Sequence, residues 1–190
     1  MLEMLQKVGA VLQGHFLLSS GKHSSKYIQC AKIFEYPQYG DEVGRMIAQK
    51  IIQHKPDIVI GPALGGIIVA YTVARHLNAR AMFTEREDGV MKLRRGFQIN
   101  EGERVAIVED VTTTGKSVLE VAEVVKEFGG QICCIASIID RSTQALPFDV
   151  PFYSLLKLDL PIYEPENCPL CEQKVILVKP GSRTQSKNRS

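Results

Sequence analysis

VAIVEDVTTTGKS, residues 105–117, is the stretch that decides the fold. Its apolar, β-branched first half predicts a buried strand over residues 104–109, and apolar residues at helical spacing predict a helix over residues 116–128. Gly129 and Gly130 follow where that helix is expected to end. Two acids and a polar turn stand between the strand and the helix, so the stretch predicts a strand–turn–helix unit.

The same alternation of strand and helix continues on both sides of this unit. Helical character predicts helices over residues 39–54 and 66–78. Short apolar runs predict further strands over residues 57–60, 131–139 and 151–160. Strands that alternate with helices are typical of an α/β domain with a mainly parallel central sheet flanked by helices. Ligands of such sheets bind beyond the carboxyl ends of the strands.

The length and composition are those of a single globular domain. The chain has 190 residues, of which 45% are hydrophobic and 23% charged, and this is enough for one sizeable core. We expect one domain over residues 1–165. Residues 166–190 contain a Cys-Pro-Leu-Cys turn and a basic end, and that end is predicted to be disordered.

Charge, apolar runs and cysteine usage limit the partners. A formal net charge of +2 gives no basic field of the kind that binds nucleic acid. The first ten residues lack the pattern of a signal peptide, and no apolar run approaches the ~20 residues that cross a bilayer. Five cysteines, with Cys133 and Cys134 adjacent, do not form a disulfide framework. We therefore expect a cytoplasmic protein with no nucleic-acid or membrane partner.

The polar turn at residues 112–117 is suited to a phosphate group. Amides at the start of a helix lack partners within it, and the helix dipole favours an anion there. Threonine and serine hydroxyls add donors, and Gly115 lets the backbone approach a ligand closely. The alternative is an ordinary capped helix, because Thr and Ser are common N-caps.

The two acids before this turn narrow the choice of ligand. A nucleotide P-loop needs a glycine five positions before Gly115, where Asp110 stands, so a P-loop kinase is excluded. Carboxylates at Glu109 and Asp110 would repel a phosphate unless they hold ribose hydroxyls or Mg²⁺. A sugar phosphate satisfies both halves of the stretch.

This stretch closely resembles the phosphoribosyl pyrophosphate (PRPP) signature of the type I phosphoribosyltransferases. The resemblance implies that family's fold, with a small hood formed by residues 1–38 and by C-terminal residues. It also implies that PRPP is bound by Glu109, Asp110, Val111, Thr112, Thr113, Thr114, Gly115, Lys116 and Ser117. Lys116 stands where the family usually has a small residue, which is tolerable if its side chain points to solvent. Mg²⁺ is expected to come bound with PRPP, with no metal held by direct protein ligation.

A second strand end, residues 61–66 (GPALGG), matches another loop of the family. A Gly/Pro-rich turn is weak evidence by itself. In the family this loop holds the pyrophosphate of PRPP, often through a strained peptide bond, and the resemblance places that bond between Ala63 and Leu64. Many orotate enzymes of the family carry a lysine at the position of Gly65, so one side-chain contact with the ligand is missing here.

Residues 14–29 (GHFLLSSGKHSSKYIQ) resemble the orotate phosphoribosyltransferases within this family. The residues that match their Phe-x-Leu-x-Ser-Gly segment are Phe16, Leu18, Ser20, Gly21 and Ser24. Tyr27 falls at the first of two aromatic positions over the base and would stack on a flat pyrimidine, whereas Ile28 replaces the second aromatic. Ser19 stands where many of these enzymes carry a lysine.

Arg141, just after the strand over residues 131–139, has two readings. From the sequence alone we expect it to pair with Asp140. The resemblance implies instead that its guanidinium binds the carboxylate of orotate through paired hydrogen bonds, with Thr113 beside it.

Residues 80–99 predict a hairpin, because Asp88-Gly89 separates two candidate strands. As surface charges its cations would simply face water. In the family, the segment from Thr84 to Phe97 is a mobile catalytic loop that closes over PRPP from the neighbouring subunit of a homodimer. The residues implied to be catalytic are Arg86, Lys92 and Arg94. Glu87 replaces the loop's usual lysine and the expected histidine is absent, so Lys92 and Arg94 are named as substitutes.

The activity implied by the resemblance is transfer of ribose 5-phosphate from PRPP to orotate, which gives orotidine 5′-monophosphate and pyrophosphate in pyrimidine biosynthesis. Two alternatives remain open. One is a purine phosphoribosyltransferase. The other is a non-catalytic regulator that senses PRPP on the same fold, and the small net charge argues against the basic nucleic-acid surface of such proteins.

Cys168-Pro-Leu-Cys171 has the spacing of half a zinc knuckle. A second half is missing among the other cysteines, because Cys30, Cys133 and Cys134 have no such spacing. The default expectation is two free thiols in a turn.

Overall fold

The computed structural model describes residues 1–18 and 20–180. Ser19 and the basic end of the chain, on both of which sequence predictions fell, lie outside the described residues. The chain divides into two compact units: Met1–Ala10 with Cys30–Asp159, and Val11–Gln29 with Leu160–Ser190. This division differs from the sequence boundary at residue 165, because the chain after Leu160 is grouped with an N-terminal segment.

The elements follow in chain order. The helices of the described residues are α1 (Leu2–Lys7), α2 (Ala31–Phe34), α3 (Pro37–Ile51), α4 (Gly65–Leu77), α5 (Lys116–Glu127) and α6 (Pro169–Glu172). The strands are β1 (Val11–Leu17), β2 (His23–Ile28), β3 (Ile58–Pro62), β4 (Arg80–Glu87), β5 (Val90–Leu93), β6 (Arg104–Thr112), β7 (Gln131–Asp140), β8 (Phe152–Lys157) and β9 (Leu177–Val178).

The first unit is built on a six-stranded sheet with the strand order β5-β4-β3-β6-β7-β8. All neighbouring strands are parallel except β4 and β5. All of β3 and residues 105–109 of β6 are buried, as expected for central parallel strands covered on both faces. Helix α4 packs on β3 and β4, and α5 packs on β6 and β7. The α/β fold with a mainly parallel sheet is confirmed.

Local sequence accounts for the ends of the main helices. Helix α3 has Pro37 at its first position, where the missing N–H has no helical partner to lose. It is followed by a 3₁₀ turn, Ile52–His54, so the helix predicted over residues 39–54 is confirmed with a tighter last turn. Helix α4 ends at Leu77 and is capped by Asn78, which adopts the left-handed φ of 53° that Asn tolerates better than most residues.

The predicted hairpin is also present. Asp88 and Gly89 have φ values of 52° and 81°, and a two-residue turn of this type needs positive φ at both positions. The second strand, β5, ends at Leu93 and does not run on to residue 99.

The second unit contains a three-stranded sheet that the sequence analysis did not predict. Strand β1 pairs antiparallel with β2 and parallel with the two-residue β9. Among the described residues of this unit, the buried apolar side chains are Phe16, Ile28 and Cys168. So small a core gives a weak hydrophobic signal in the sequence.

No helix in the described part of the chain combines the length and the apolar character needed to cross a bilayer.

Candidate active site

Three polar turns lie at one edge of the six-stranded sheet. Strands β3 and β6 run in register with Ile60 opposite Ile107, and β6 and β7 end together with Thr112 opposite Asp140. The carboxyl ends of neighbouring parallel strands meet at the same edge of a sheet. The turns after β3, β6 and β7 are therefore neighbours, as the sequence predicted.

The turn after β6 has the geometry of an anion site. Gly115 has a φ of 77° and directly precedes α5, so the amides of the first helical turn face outward without helical partners. Thr113, Thr114 and Lys116 are exposed. The exposure of Lys116 fits the expectation that its side chain points to solvent.

Glu109 and Asp110 belong to β6, which runs three residues further than predicted. Glu109 is only 8% exposed. Burial, followed by the nearby Asp110 carboxylate, raises the pKa of Glu109 well above its usual value. Asp110 Oδ1 accepts a hydrogen bond from the Val111 amide at 2.8 Å. A ligand that supplies hydroxyl donors or positive charge would favour the ionised form of Glu109.

The turn after β3 approaches the acid pair closely. A Cβ atom built on Gly65 would lie 2.5 Å from both Cγ and Oδ2 of Asp110. A side chain at this position would therefore have to displace the carboxylate. This contact is a physical reason for the glycine that stands where related enzymes carry a lysine.

The backbone of the same turn is unusual. The Ala63–Leu64 peptide bond is cis although Leu64 is not proline, and this is the bond that the resemblance pointed to. The Ala63 amide donates to the carbonyl oxygen of Thr84 at 2.7 Å, and the Leu64 side chain is 84% exposed.

Arg141 lies at the end of the neighbouring strand. Its amide donates to the Thr112 carbonyl oxygen at 2.8 Å. Its guanidinium acts on Cys30, where burial, Asp110 and Glu109 raise the thiol pKa and Arg141 lowers it. Arg141 and the acid pair therefore act on the same buried thiol. The carboxylate of Asp140 contacts Lys157 Nζ at 3.6 Å and accepts from the Ser142 amide at 2.8 Å.

Two features of the site have no signal in the sequence. The buried thiol of Cys30 lies 4.0 Å from the Asp110 carbonyl oxygen, although 80 residues separate the two in the chain. Phe148 lies against Gly115, because a Cβ on Gly115 would be 2.8 Å from its ring. A 460 Å³ cavity extends from Phe148 to Asp140 and Lys157, and none of the predicted PRPP residues lines it.

The three cations predicted to be catalytic all lie in ion pairs within the chain. Arg86 pairs with Glu120 of α5 and donates to the Gly89 carbonyl oxygen at 2.9 Å. Lys92 Nζ lies 2.6 Å from a Glu87 carboxylate oxygen. Arg94 lies 3.1 Å from Glu87 and 3.5 Å from Glu85. Their partners are two acids of the hairpin, Glu85 and Glu87, and one acid of α5, Glu120.

Tyr27, predicted to contact the base, lies on β2 in the second unit. Its half-buried ring is 5.7 Å from the ring of Phe16, at an interplanar angle of 42°. The other two residues predicted to contact the base, Thr113 and Arg141, lie in the first unit. The role of Tyr27 in base binding stays a prediction.

Comparisons with known proteins identify the family of the chain. The family model of the phosphoribosyl transferase domain matches residues 30–171. The orotate phosphoribosyltransferase of Thermotoga maritima is 59% identical over 181 residues, which cover 95% of this chain and 97% of the relative. That of Caldanaerobacter subterraneus subsp. tengcongensis is 56% identical over 182 residues, 96% of each chain. The crystal structure of the orotate phosphoribosyltransferase from Aeropyrum pernix matches with a TM-score of 0.71 and 27% identity over 83% of this chain and 94% of that chain.

Proposed function

The chain belongs to the phosphoribosyl transferase family and, within it, to the orotate phosphoribosyltransferases, and we propose that it transfers ribose 5-phosphate from PRPP to orotate. The products are orotidine 5′-monophosphate and pyrophosphate, an intermediate and a by-product of pyrimidine biosynthesis. The observation that carries the proposal is an acid pair, buried Glu109 and half-buried Asp110, directly before an exposed polar turn at the start of α5.

The phosphate turn would hold the 5′-phosphate of PRPP. The amides of residues 113–117 and the hydroxyls of Thr113, Thr114 and Ser117 are the donors available there. A bound phosphate gains from both the donors and the helix dipole, and the dipole is strongest within the first turn.

The acid pair would hold the ribose. Vicinal hydroxyls donate to the carboxylates of Glu109 and Asp110, and they offset the burial and, after it, the repulsion from Asp110 that raise the pKa of Glu109. During transfer C1 of the ribose becomes cation-like. Two carboxylates beside the ring then stabilise the transition state more than the ground state, and this difference is what lowers the barrier.

Arg141 and Thr113 would orient orotate. A planar guanidinium matches a carboxylate through two parallel hydrogen bonds. The Arg141 amide is fixed on the Thr112 carbonyl oxygen, so the side chain begins from an ordered position at the strand end. Orotate differs from uracil by its carboxylate, and this contact would provide the specificity.

The turn with the cis bond, including Ala63 and Leu64, would face the pyrophosphate. We expect Mg²⁺ to arrive bound to PRPP, because Mg²⁺ in such sites is held largely by substrate phosphates and water, so Glu109 and Asp110 remain available to hold the ribose. When bound, Mg²⁺ would supply positive charge to the departing pyrophosphate. The chain's own contribution is the backbone of the turn and the space that Gly65 leaves beside Asp110.

The hairpin cations would complete the site from a second copy of the chain. We propose a homodimer in which the loop from Thr84 to Phe97 closes over PRPP of its partner, in the cytoplasm. Arg86 would have to leave Glu120, and Lys92 and Arg94 would have to leave Glu87. Exposed ion pairs of this kind contribute little to stability, so these cations can exchange a carboxylate for a pyrophosphate at small cost. Closure would also exclude the water that would hydrolyse PRPP.

The test is a base panel with PRPP and Mg²⁺, with pyrophosphate release as the readout. We expect release with orotate and none with adenine or hypoxanthine. Turnover of a purine base without turnover of orotate would overturn the assignment of orotate as the substrate. PRPP binding without turnover of any base would overturn the assignment of transferase activity.

A matched pair of arginine variants tests the orotate contact. We expect Arg141→Ala to raise the KM for orotate about 10- to 100-fold, the worth of a hydrogen bond to a charged group, with a small change in the KM for PRPP. Arg45→Ala, an exposed arginine on α3 that pairs with Glu42, is the control and should change neither KM.

A further inference from the structure

Four side chains of the kinds that bind metal ions converge in the second unit. His15 lies on β1, His23 begins β2, Cys168 precedes α6 and Cys171 lies within α6. One ring nitrogen of each histidine and the two sulfur atoms all lie within 4.8 Å of one another. The sequence offered the cysteine pair no second half among the other cysteines. The structure places two histidines beside it instead.

The separations between the ligand atoms match a tetrahedral site. His15 Nε2 lies 2.9 Å from His23 Nδ1, 3.5 Å from Cys168 Sγ and 3.8 Å from Cys171 Sγ. Cys171 Sγ lies 3.4 Å from His23 Nδ1. Around a zinc ion with Zn–N of about 2.0–2.1 Å and Zn–S of about 2.3 Å, tetrahedral ligand atoms are roughly 3.3–3.8 Å apart. Three of the four separations fall in or at this range, and the N···N separation needs a few tenths of an ångström more.

A hydrogen bond fixes the ring of His15 in the orientation that a ligand needs. His15 Nδ1 lies 2.8 Å from the carbonyl oxygen of Val175. A carbonyl oxygen can only accept, so Nδ1 carries the proton. In the neutral ring Nε2 then presents a lone pair to the cluster. A backbone carbonyl that receives the other ring N–H is the usual support of a metal-bound histidine.

Burial encloses the cluster on the protein side. His15 is 2%, His23 6% and Cys168 1% exposed, whereas Cys171 is exposed. Burying two imidazoles and a thiol is costly without partners for their polar atoms. A shared metal ion would bind one ring nitrogen of each histidine and both sulfur atoms, and the exposed Cys171 leaves an entry path for the ion.

The second unit has little else to hold it together. Its buried apolar side chains in the described residues are Phe16, Ile28 and Cys168, and Ile176, Leu177 and Val178 are largely exposed. The cysteines are free thiols, so no disulfide connects the two segments. Units below about 70 residues rarely bury enough apolar surface, and they commonly gain stability from a disulfide, a metal or a partner.

We propose that His15, His23, Cys168 and Cys171 bind one Zn²⁺ ion, which joins the C-terminal segment to the β1–β2 hairpin. Two thiolates and two imidazoles in tetrahedral arrangement select zinc rather than Mg²⁺ or Ca²⁺, which prefer oxygen ligands. All four positions are taken by the protein, so no position remains for a substrate or a catalytic water. The ion is structural, and the proposal does not depend on the proposed transferase activity.

Metal analysis of the purified chain tests the proposal. We expect inductively coupled plasma mass spectrometry to find one zinc ion per chain in the wild type. Cys171→Ser and His15→Ala should contain less than a tenth of that amount after dialysis. Cys171 is exposed, so its replacement is compatible with folding, and far-ultraviolet circular dichroism checks this. Cys133→Ser, which removes a thiol from β7 of the first unit, is the matched control and should keep one zinc per chain.

A cobalt titration gives a readout that does not depend on activity. Co²⁺ added to zinc-free wild type should produce the visible bands of a tetrahedral site and a thiolate-to-cobalt band, with a break at one equivalent. Neither should form in Cys171→Ser. If the wild type binds neither Zn²⁺ nor Co²⁺, the cluster is a hydrogen-bonded histidine pair beside two thiols, and the proposal is wrong. Zinc retained in both ligand variants, or a thiol count showing a Cys168–Cys171 disulfide, would also overturn it.

Discussion

Gly65 and Asp110 show how one missing side chain shapes the site. Gly65 begins α4 after strand β3, whereas Asp110 lies on β6, and the carboxylate of Asp110 occupies the volume of a Cβ at position 65. The lysine that many related enzymes carry at this position would need Asp110 to point elsewhere. The position of the Asp110 carboxylate in this chain therefore requires a glycine at position 65.

Replacing Gly65 by alanine should displace the Asp110 carboxylate. We expect Gly65→Ala to lower kcat/KM for PRPP about tenfold or more, because an error of about 1 Å in a positioned group can cost up to 10²-fold. Steady-state kinetics at varied PRPP measures it. The control is Gly40→Ala in α3, where the new Cβ would meet the ring of Phe34 at 2.9 Å, away from the acids. Unchanged PRPP kinetics in Gly65→Ala would contradict the link.

Glu109 should make the ligand-free protein less stable at higher pH. Its pKa is raised well above 4.5, by burial first and by Asp110 second. The folded state therefore keeps this proton at pH values where the unfolded state has lost it. Stability falls wherever the folded state binds more protons, so it falls as the pH rises from about 4.5 through the raised pKa.

Glu109→Gln removes this titration. We expect the variant's Tm to exceed that of the wild type at pH 8 and the difference to shrink towards pH 4.5, measured by thermal unfolding without ligand. Glu123→Gln, an exposed acid on α5 that pairs with Lys126, should show no such trend. A difference that stays constant with pH, or grows as the pH falls, would argue against a raised pKa.

The β4–β5 hairpin is an element whose charges neutralise one another. Glu85 and Glu87 lie in ion pairs with Arg95, Lys92 and Arg94. The hydrogen bond from Arg95 is the main cause of the lowered pKa of Glu85, and that from Lys92 is the main cause for Glu87. Glu87 stands where the family usually has a lysine. The same residue that removes a catalytic cation thus holds the two proposed substitutes.

Variants of two arginines in this hairpin distinguish an effect on catalysis from an effect on stability. We expect Arg86→Ala to lower kcat at least tenfold, because a cation that stabilises the leaving pyrophosphate is lost, while Tm stays nearly constant because an exposed ion pair contributes little. Arg95→Ala, which removes a hairpin arginine paired with Glu85, should change kcat less than twofold. If both variants lower kcat equally, the effect comes from the total charge of the hairpin, and Arg86 has no specific catalytic role.

The proposed loop exchange between subunits can be tested on the whole molecule. Arg86→Ala and Asp110→Asn each disable one half of a site, the loop and the ribose contact. If the loop crosses a two-fold dimer interface, mixed dimers contain one intact site, and an equal mixture should recover about a quarter of the wild-type activity. Sedimentation of the mixture checks that it is dimeric. Mixtures no more active than their parents would mean that each chain uses its own loop.

The proposed zinc ion should stabilise one unit selectively. On zinc removal we expect faster amide hydrogen exchange in β1, β2, α6 and β9, because their other buried contacts are few. Exchange in β3, β6 and β7 should change little, since these strands form the buried centre of the first unit. Exchange that quickens equally in both units would mean that the ion acts on the entire chain.

The fold of the first unit was predictable because its signals are local. The apolar runs of β3, β6 and β7, the spacing of Val43, Ile47 and Ile51 in α3, and the Asp88-Gly89 turn each act over a few residues. The acid pair and the threonine-rich turn are contiguous as well, so the ligand class could be inferred before the structure. The three-stranded sheet was missed because its short strands bury little.

The sequence by itself determined the α/β architecture and a strand end suited to a sugar phosphate, because periodicity and turn chemistry depend on neighbours in the chain. Only the tertiary structure decided which distant groups touch. It set Gly65 against Asp110, paired Arg86 with Glu120, and brought His15 within 3.5 Å of Cys168 across 153 residues. Such contacts depend on the order of the strands and on the path of the C-terminal segment back to the N-terminal hairpin. No short stretch of sequence encodes either of them. The cysteine pair at residues 168 and 171 therefore appeared unpartnered until the chain was folded.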